Sequence, residues 1–266
     1  GISMFDLTLP RRRECVIMTR MASSLPRESL KPDISTVSRR GLQYPAAGGR
    51  VQRFHPWLGD AFSFVYDFVM KKSVFPKTFA ADIRRHGDIL RGMLQDVHGR
   101  TVLEVAAGSG AAAGVLPRDN LYVGTDISPG LLRRARRRFL AAGFDAPECW
   151  VARAEDLPFT DDSFDLCLCL LSLNFFDDAE QAVREIGRVL RPGGRWLVCV
   201  PVPERCGPRS RIRGTLYSEG ALTDMCRRNG LVFEPAAHAN GALRYFTARR
   251  SAAGSPRGGA PPEQFF

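Results

Sequence analysis

The stretch Thr101-Val102-Leu103-Glu104-Val105-Ala106-Ala107-Gly108-Ser109-Gly110 constrains the fold of this chain more than any other segment. An apolar strand pattern ends in an acidic residue and runs straight into a turn of very small residues, after which a helix pattern begins at Ala111. Small residues let backbone N–H groups come close to a ligand, and a following helix N-terminus favours negative charge there. The stretch therefore reads as a ligand seat. Glycine-bearing turns of this kind occur in several folds, so the identity of the ligand has to come from the rest of the chain.

Beyond this turn, strand and helix patterns alternate, which implies a parallel sheet covered by helices. Strands are expected at Thr101–Val105, Leu121–Thr125, Trp150–Ala152, Phe164–Leu171 and Arg195–Pro201, and then at Leu231–Glu234 and Leu243–Ala248. Helices are expected at Ala111–Leu116, at Gly130–Ala142 behind Ser128-Pro129, at Ala179–Leu190 and at Ser218–Asn229. Upstream, an apolar cluster from Phe54 to Phe75 fits one or two helices ended by Pro76, and Ile83, Ile89, Leu90, Met93 and Leu94 form a further helical stripe. The fold class is thus α/β: a Rossmann-like, doubly wound, mostly parallel seven-stranded sheet with an antiparallel last strand and an N-terminal helical cap.

A length of 266 residues suits one large domain with flanking segments. Residues 1–50 are read as a basic, loosely ordered arm, with Gly1-Ile2-Ser3 ahead of Met4 as a tag remnant. Residues 51–250 make the domain, and the Gly- and Pro-rich residues 251–266 a flexible tail. Seven cysteines include no C-x-x-C pair and mostly sit in apolar runs, so a reducing, cytoplasmic location is expected and no metal. No run of eighteen apolar residues occurs, which argues against a membrane span. The net charge of +10 resides largely in arginines of the arm, of the helix carrying Arg133 to Arg138, and of the segment Arg205 to Arg213. A solvated basic surface is preferred over nucleic-acid binding, and oligomeric state is left open.

Several acidic positions fall at the carboxyl ends of successive strands, the edge where open α/β sheets bind ligands. Glu104 ends the first strand, Asp126 the second, and Ala154-Glu155-Asp156 follows the third. A carboxylate at Asp126 suits a ribose diol, a requirement that a nicotinamide nucleotide meets as well.

The full pattern resembles the class I S-adenosylmethionine-dependent methyltransferases, in particular the group of ubiquinone and menaquinone C-methyltransferases. The matching pieces are Val102 to Gly110, Gly124-Thr125-Asp126-Ile127-Ser128, Ala154-Glu155-Asp156-Leu157-Pro158-Phe159 with Asp162-Ser163-Phe164-Asp165, and Arg188-Val189-Leu190-Arg191-Pro192-Gly193-Gly194. Their order and spacing follow the family, over roughly residues 60 to 250. The resemblance implies S-adenosyl-L-methionine as cofactor, with S-adenosyl-L-homocysteine as product, and a small, at least partly apolar acceptor. It implies that Glu104 and the backbone of Ala106, Gly108 and Gly110 hold the methionine end, and that Asp126 takes the ribose. Ile127 would pack on the adenine, Ala154 and Glu155 would meet its edge, and Leu171 would line the path to the methyl group.

Two positions depart from the family. Ala106 stands where glycine is usual, and Arg153, which has only donors, stands where an acceptor for the adenine amino group is common. They motivate an alternative, a methyltransferase fold kept as a binding or regulatory module without catalysis. Methyl transfer is mainly a positioning problem, so the lack of an obvious catalytic dyad does not exclude an enzyme. His55, Tyr66, Asn174 and Tyr217 are rim candidates for a base, and Asn174-Phe175-Phe176 suggests an apolar acceptor wall.

Overall fold

Apolar runs and amphipathic stretches come together, in a computed structural model, as one ten-stranded sheet with helices on both faces. The structure describes residues 35–47, 50–51, 54, 66–207 and 212–252. The strands are β1 (Thr36–Arg39), β2 (Leu42–Ala47), β3 (Arg50–Val51), β4 (Thr101–Val105), β5 (Leu121–Asp126), β6 (Glu148–Val151), β7 (Phe164–Leu170), β8 (Leu190–Pro201), β9 (Leu231–Pro235) and β10 (Leu243–Arg250). They lie in the order β1-β2-β6-β5-β4-β7-β8-β10-β9, with β3 on β2.

The seven strands from β4 onward form the expected Rossmann-like sheet. Parallel pairing joins β6, β5, β4, β7 and β8, and β10 inserts antiparallel between β8 and β9. Strand order reverses beside β4: β5 and β6 extend to one side, β7 and β8 to the other. A crevice therefore opens at the carboxyl end of β4.

The reading of residues 1–50 as a loosely ordered arm is corrected for the part that is described. β1 and β2 form a hairpin whose turn, Arg40-Gly41, has φ of 51° and 77°, and a Gln43–Trp150 bridge attaches it to β6. Two consecutive left-handed residues give the turn a twist that matches its strands, but arginine at the first position hides the signal that Asn or Gly would give.

Helix α1 (Tyr66–Thr78) starts with one regular turn and continues as wide, π-type turns over Met70–Thr78. Pro76 lies inside it and does not end it as expected. Proline lacks the N–H that a regular turn uses, and wide turns are one way for a helix to pass such a residue. Helix α2 (Ile83–Leu94) is capped by Asp82, whose carboxylate accepts from the N–H groups of Arg84 and Arg85. Together α1 and α2 are the described part of the helical cap; Trp57, Leu58, Phe62, Phe64 and Val65 of the apolar cluster lie outside the described residues.

Serine caps begin α3 (Pro129–Ala141) and α5 (Glu219–Arg228), where Ser128 and Ser218 accept from Leu131 and Ala221 N–H, as their sequences imply. Asp178 caps α4 (Ala179–Val189). Successive residues of the central strands enter opposite cores: Leu103, Cys167 and Val198 face Val183, Ile186 and Leu222, while Val102, Leu166 and Leu197 face Leu90, Leu94 and Phe139. Burial of each such side chain contributes roughly 1.5–3 kcal/mol and holds the strand ends in place.

Two of the family-like motifs work away from the ligand edge. Leu190 pairs with Phe164 and Arg195 with Leu166, so Arg191-Pro192-Gly193-Gly194 bulges opposite Asp165 at the start of β8. Arg191 pairs with Asp165 at 2.8 Å, and Asp165 also accepts from Thr101 N–H at 2.8 Å, which ties together the beginnings of β4, β7 and β8. Arg188 donates to the carbonyls of Leu157 and Phe159 and pairs with Glu185, clamping the Leu157-Pro158-Phe159 segment onto α4.

Candidate functional site

The chain leaves β4 through a loop with three left-handed residues: Ala106 (φ 50°), Gly108 (φ 54°) and Gly110 (φ 78°). The two glycines serve different ends. A Cβ on Gly110 would lie 2.7 Å from Ala135 Cα, so that glycine lets the loop pack directly on α3. A Cβ on Gly108 would meet nothing within 4 Å, because the backbone there borders open space.

Asp126, at the end of β5, fixes the other side of the loop. Its Oδ2 accepts from Gly108 N–H at 2.9 Å and its Oδ1 from Ser128 N–H at 2.8 Å. The carboxylate is thereby aimed along the edge of the crevice.

A cavity of roughly 390 Å³ opens against this edge, and Ala106, Gly108, Asp126, Ile127, Ala154, Glu155 and Leu171 all border it. Ile127 is 41% exposed and Phe175 56%, so apolar surface stands open on this wall directly beside a carboxylate. Phe176 lines it too; the aromatic pair expected to wall an acceptor borders this cavity. Open space at Gly108, an anchored carboxylate and apolar faces next to it match a ligand with a diol and a flat apolar ring.

A second cavity, of roughly 530 Å³, adjoins the first and shares Ala106, Gly108, Leu170 and Leu171 with it as wall residues. α1 and α2 roof it with Met70, Lys71, Phe75, Ile83 and Leu90, and Glu104 and Arg138 border it as well. Glu104 is buried and accepts from the Tyr122 hydroxyl at 2.6 Å. Burial pushes its carboxyl up to about 8, with the nearby Asp126 charge adding to the rise, while the Tyr122 hydrogen bond and Arg138 oppose it. Arg138 donates to the Ser109 hydroxyl at 3.3 Å.

His86 also lines this cavity, and the sequence reading missed it. Its signal was a polar residue at the centre of the apolar stripe Ile83, His86, Leu90 and Leu94. Burial lowers its pKa to about 4, so the ring is neutral near pH 7.

The remaining candidates are placed as follows. Gly110 lies in the loop, packed on α3. Arg153 borders the first cavity with its guanidinium turned to the wall, donating to Asp177 at 2.7 Å and to Glu155 at 3.3 Å. Asn174 is buried and ties the turn after β7 to the segment before α5 by donating to the Arg213 carbonyl at 2.7 Å. Tyr217 lines a separate depression between α4 and α5, with Met225 and Arg228. Tyr66 lies in the first turn of α1, whereas its side chain, like His55, Arg209 and Arg211, is outside the described residues. Arg205 faces Glu219 at 3.8 Å. Among the described residues, no helix is long and apolar enough to cross a membrane.

Residues 103–198 match the family model described as a methyltransferase domain. The chain is 39% identical over 112 residues to a demethylmenaquinone methyltransferase of Clavibacter sepedonicus, covering 40% of this chain and 45% of that one. It is 37% identical over 105 residues to a fatty-acid O-methyltransferase of Mycolicibacterium smegmatis, covering 38% and 37%. The chain thus spans less than half the length of these relatives. In structure it resembles an S-adenosylmethionine-dependent methyltransferase of Thermotoga maritima, described as a possible histamine N-methyltransferase. The TM-score is 0.53 at 19% identity, with 73% of this chain and 99% of the other covered.

Proposed function

We propose that this chain, which carries a class I S-adenosylmethionine-dependent methyltransferase domain, transfers a methyl group to a small, at least partly apolar molecule. The observation that carries this reading is that two unlike cavities lie side by side and share Ala106, Gly108, Leu170 and Leu171 in their walls. One joins a fixed carboxylate to open apolar faces, and the other is roofed mainly by apolar side chains, with Lys71 and His86 among them. The two relatives named above, whose names specify a demethylmenaquinone and a fatty acid, support an acceptor with apolar character.

In this reading Asp126 holds the ribose hydroxyls of the cofactor, and Ile127 packs against its adenine. Ala154 and Glu155 border the adenine edge, and Ala106 to Gly110 and Glu104 lie toward the methionine end. When bound, S-adenosylmethionine supplies an electrophilic methyl group. The protein's own part is to align the acceptor and exclude water, and such alignment is worth roughly 7–11 kcal/mol without an acid or base. Leu170 and Leu171, shared by both cavities, would line the path to the methyl group, with the methionine end and the acceptor meeting in the second cavity.

Calorimetric titration with S-adenosylhomocysteine tests the reading. Binding that weakens at least tenfold in Asp126→Ala, about 1.4 kcal/mol, is expected. A folded wild type that takes up no ligand at millimolar concentration would sink it.

A further inference from the structure

The mostly apolar roof of the second cavity carries two polar side chains, the charged Lys71 and the uncharged His86, and His86 is held by a network that reaches across the fold. Asn240, in the turn before β10, is fixed on both sides of its amide: its Oδ1 accepts from Asp82 N–H at 2.9 Å, and its Nδ2 donates to the Asp82 carbonyl at 2.9 Å. The same Nδ2 donates to the Tyr245 hydroxyl at 3.2 Å. The Tyr245 oxygen is thus engaged as an acceptor, and its single proton is available to His86 Nδ1, 2.8 Å away.

With Nδ1 accepting, a neutral imidazole carries its proton on Nε2. Phe75 packs on the ring at a centroid distance of 5.1 Å and restrains its tilt. The result is one uncharged N–H donor presented by a residue that lines the cavity, framed by Phe75, Ile83 and Leu90. A donor of that kind is costly to leave unpaired once an apolar ligand has displaced water from around it.

We propose that His86 selects the acceptor: its Nε2–H donates to an oxygen of an otherwise apolar molecule, as found in a phenol, an enol or a carbonyl compound. This deepens the methyltransferase reading and rests on it. The cavity then discriminates between an oxygen-bearing ring and its bare hydrocarbon, because the hydrocarbon would bury the Nε2–H without a partner. Tyr245 and Asn240 act through His86 as positioning residues.

The test uses the full chain saturated with S-adenosylhomocysteine, titrated with 1-naphthol and with naphthalene and followed by ligand fluorescence. A preference for 1-naphthol of roughly three- to tenfold is expected, the net worth of one hydrogen bond. His86→Phe should bring the ratio close to one with S-adenosylhomocysteine affinity unchanged, and His86→Gln, which keeps an N–H donor, should retain part of it. Tyr245→Phe, which frees the tautomer without touching the cavity wall, should lower the preference and covers the case in which His86→Phe does not fold. A wild type that binds both ligands equally, or neither, overturns the proposal, as does a preference that survives in His86→Phe. Failure of S-adenosylhomocysteine to bind would instead overturn the methyltransferase reading beneath it.

Discussion

The Tyr122 hydroxyl donates to Glu104 Oε2 across 2.6 Å, joining two buried side chains from adjacent parallel strands. Tyr122 is held from behind by Phe139, stacked at 3.5 Å between centroids. Room for its hydroxyl comes from Gly124, where a Cβ would lie 2.6 Å from the oxygen. Glu104, Tyr122 and Gly124 therefore act as one unit beside the second cavity.

Stability without ligand should fall as pH rises above neutrality. The Glu104 carboxyl, raised from 4.5 to about 8, keeps its proton when folded and gives it up above 4.5 when unfolded, so its contribution is lost as pH climbs toward 8. His86, lowered from 6.5 to about 4, works the other way: its contribution is complete above 6.5 and lost as pH falls toward 4. The two oppose each other up to 6.5, and above that only Glu104 remains. Urea unfolding at pH 6.5 and 8 should show wild type losing about 1.5 kcal/mol, at up to 1.36 kcal/mol per pH unit with the slope halved by pH 8, and Glu104→Gln losing much less. Equal slopes in the two proteins would rule Glu104 out as the cause.

Gly124→Ala should destabilise the fold by about 1–3 kcal/mol, because the new methyl group has to displace Tyr122 from Glu104. Adding Tyr122→Phe removes the atom in the way, so the double variant should lose less than the sum of the single ones. A double-mutant cycle in chemical denaturation gives the coupling energy, and strict additivity would show that the contact is not the cause.

Much of the site was legible because its parts are local. Ser128 and Ser218 announce their helices, the apolar runs announce β4, β7 and β8, and Asp126 sits at the expected strand end. What escaped depends on partners far apart in sequence. The Glu104–Tyr122 bond links residues 18 apart across two strands, and the His86–Tyr245 bond links residues 159 apart. No local spacing encodes either one. Asn174 looked like a rim residue because it follows β7, yet its amide is turned to the Arg213 carbonyl. The Arg191-Pro192-Gly193-Gly194 motif was legible as a family mark but not as a clamp, since its partner Asp165 is visible only once β7 and β8 are paired.

Ala106 is left-handed at φ 50°, a conformation that costs a residue with a Cβ about 1–2 kcal/mol. Glycine removes that cost but adds freedom to the unfolded chain worth about 0.4–1 kcal/mol. Ala106→Gly should therefore stabilise the protein by up to about 1 kcal/mol, and S-adenosylhomocysteine affinity should stay equal or improve. Thermal unfolding and calorimetry measure both, and a lower melting temperature would show that the Ala106 methyl makes contacts worth more than its strain.

Arg153 should matter little to cofactor binding, despite standing where an acceptor is common. Its guanidinium is spent on Asp177 and Glu155, and at 36% side-chain exposure such pairs are worth at most about 1 kcal/mol. Glu155 has more to do: besides Arg153, its Oε1 accepts from Asp177 N–H at 3.0 Å, so it holds the wall itself. Asp126 holds both the loop and, in the proposed reading, the ribose. S-adenosylhomocysteine titrations should accordingly rank the losses Asp126→Ala above Glu155→Ala above Arg153→Ala, the last within about threefold of wild type. A loss beyond tenfold in Arg153→Ala would mean that the guanidinium leaves Asp177 on binding and meets the adenine directly, and that the wall contact belongs to the ligand-free protein alone.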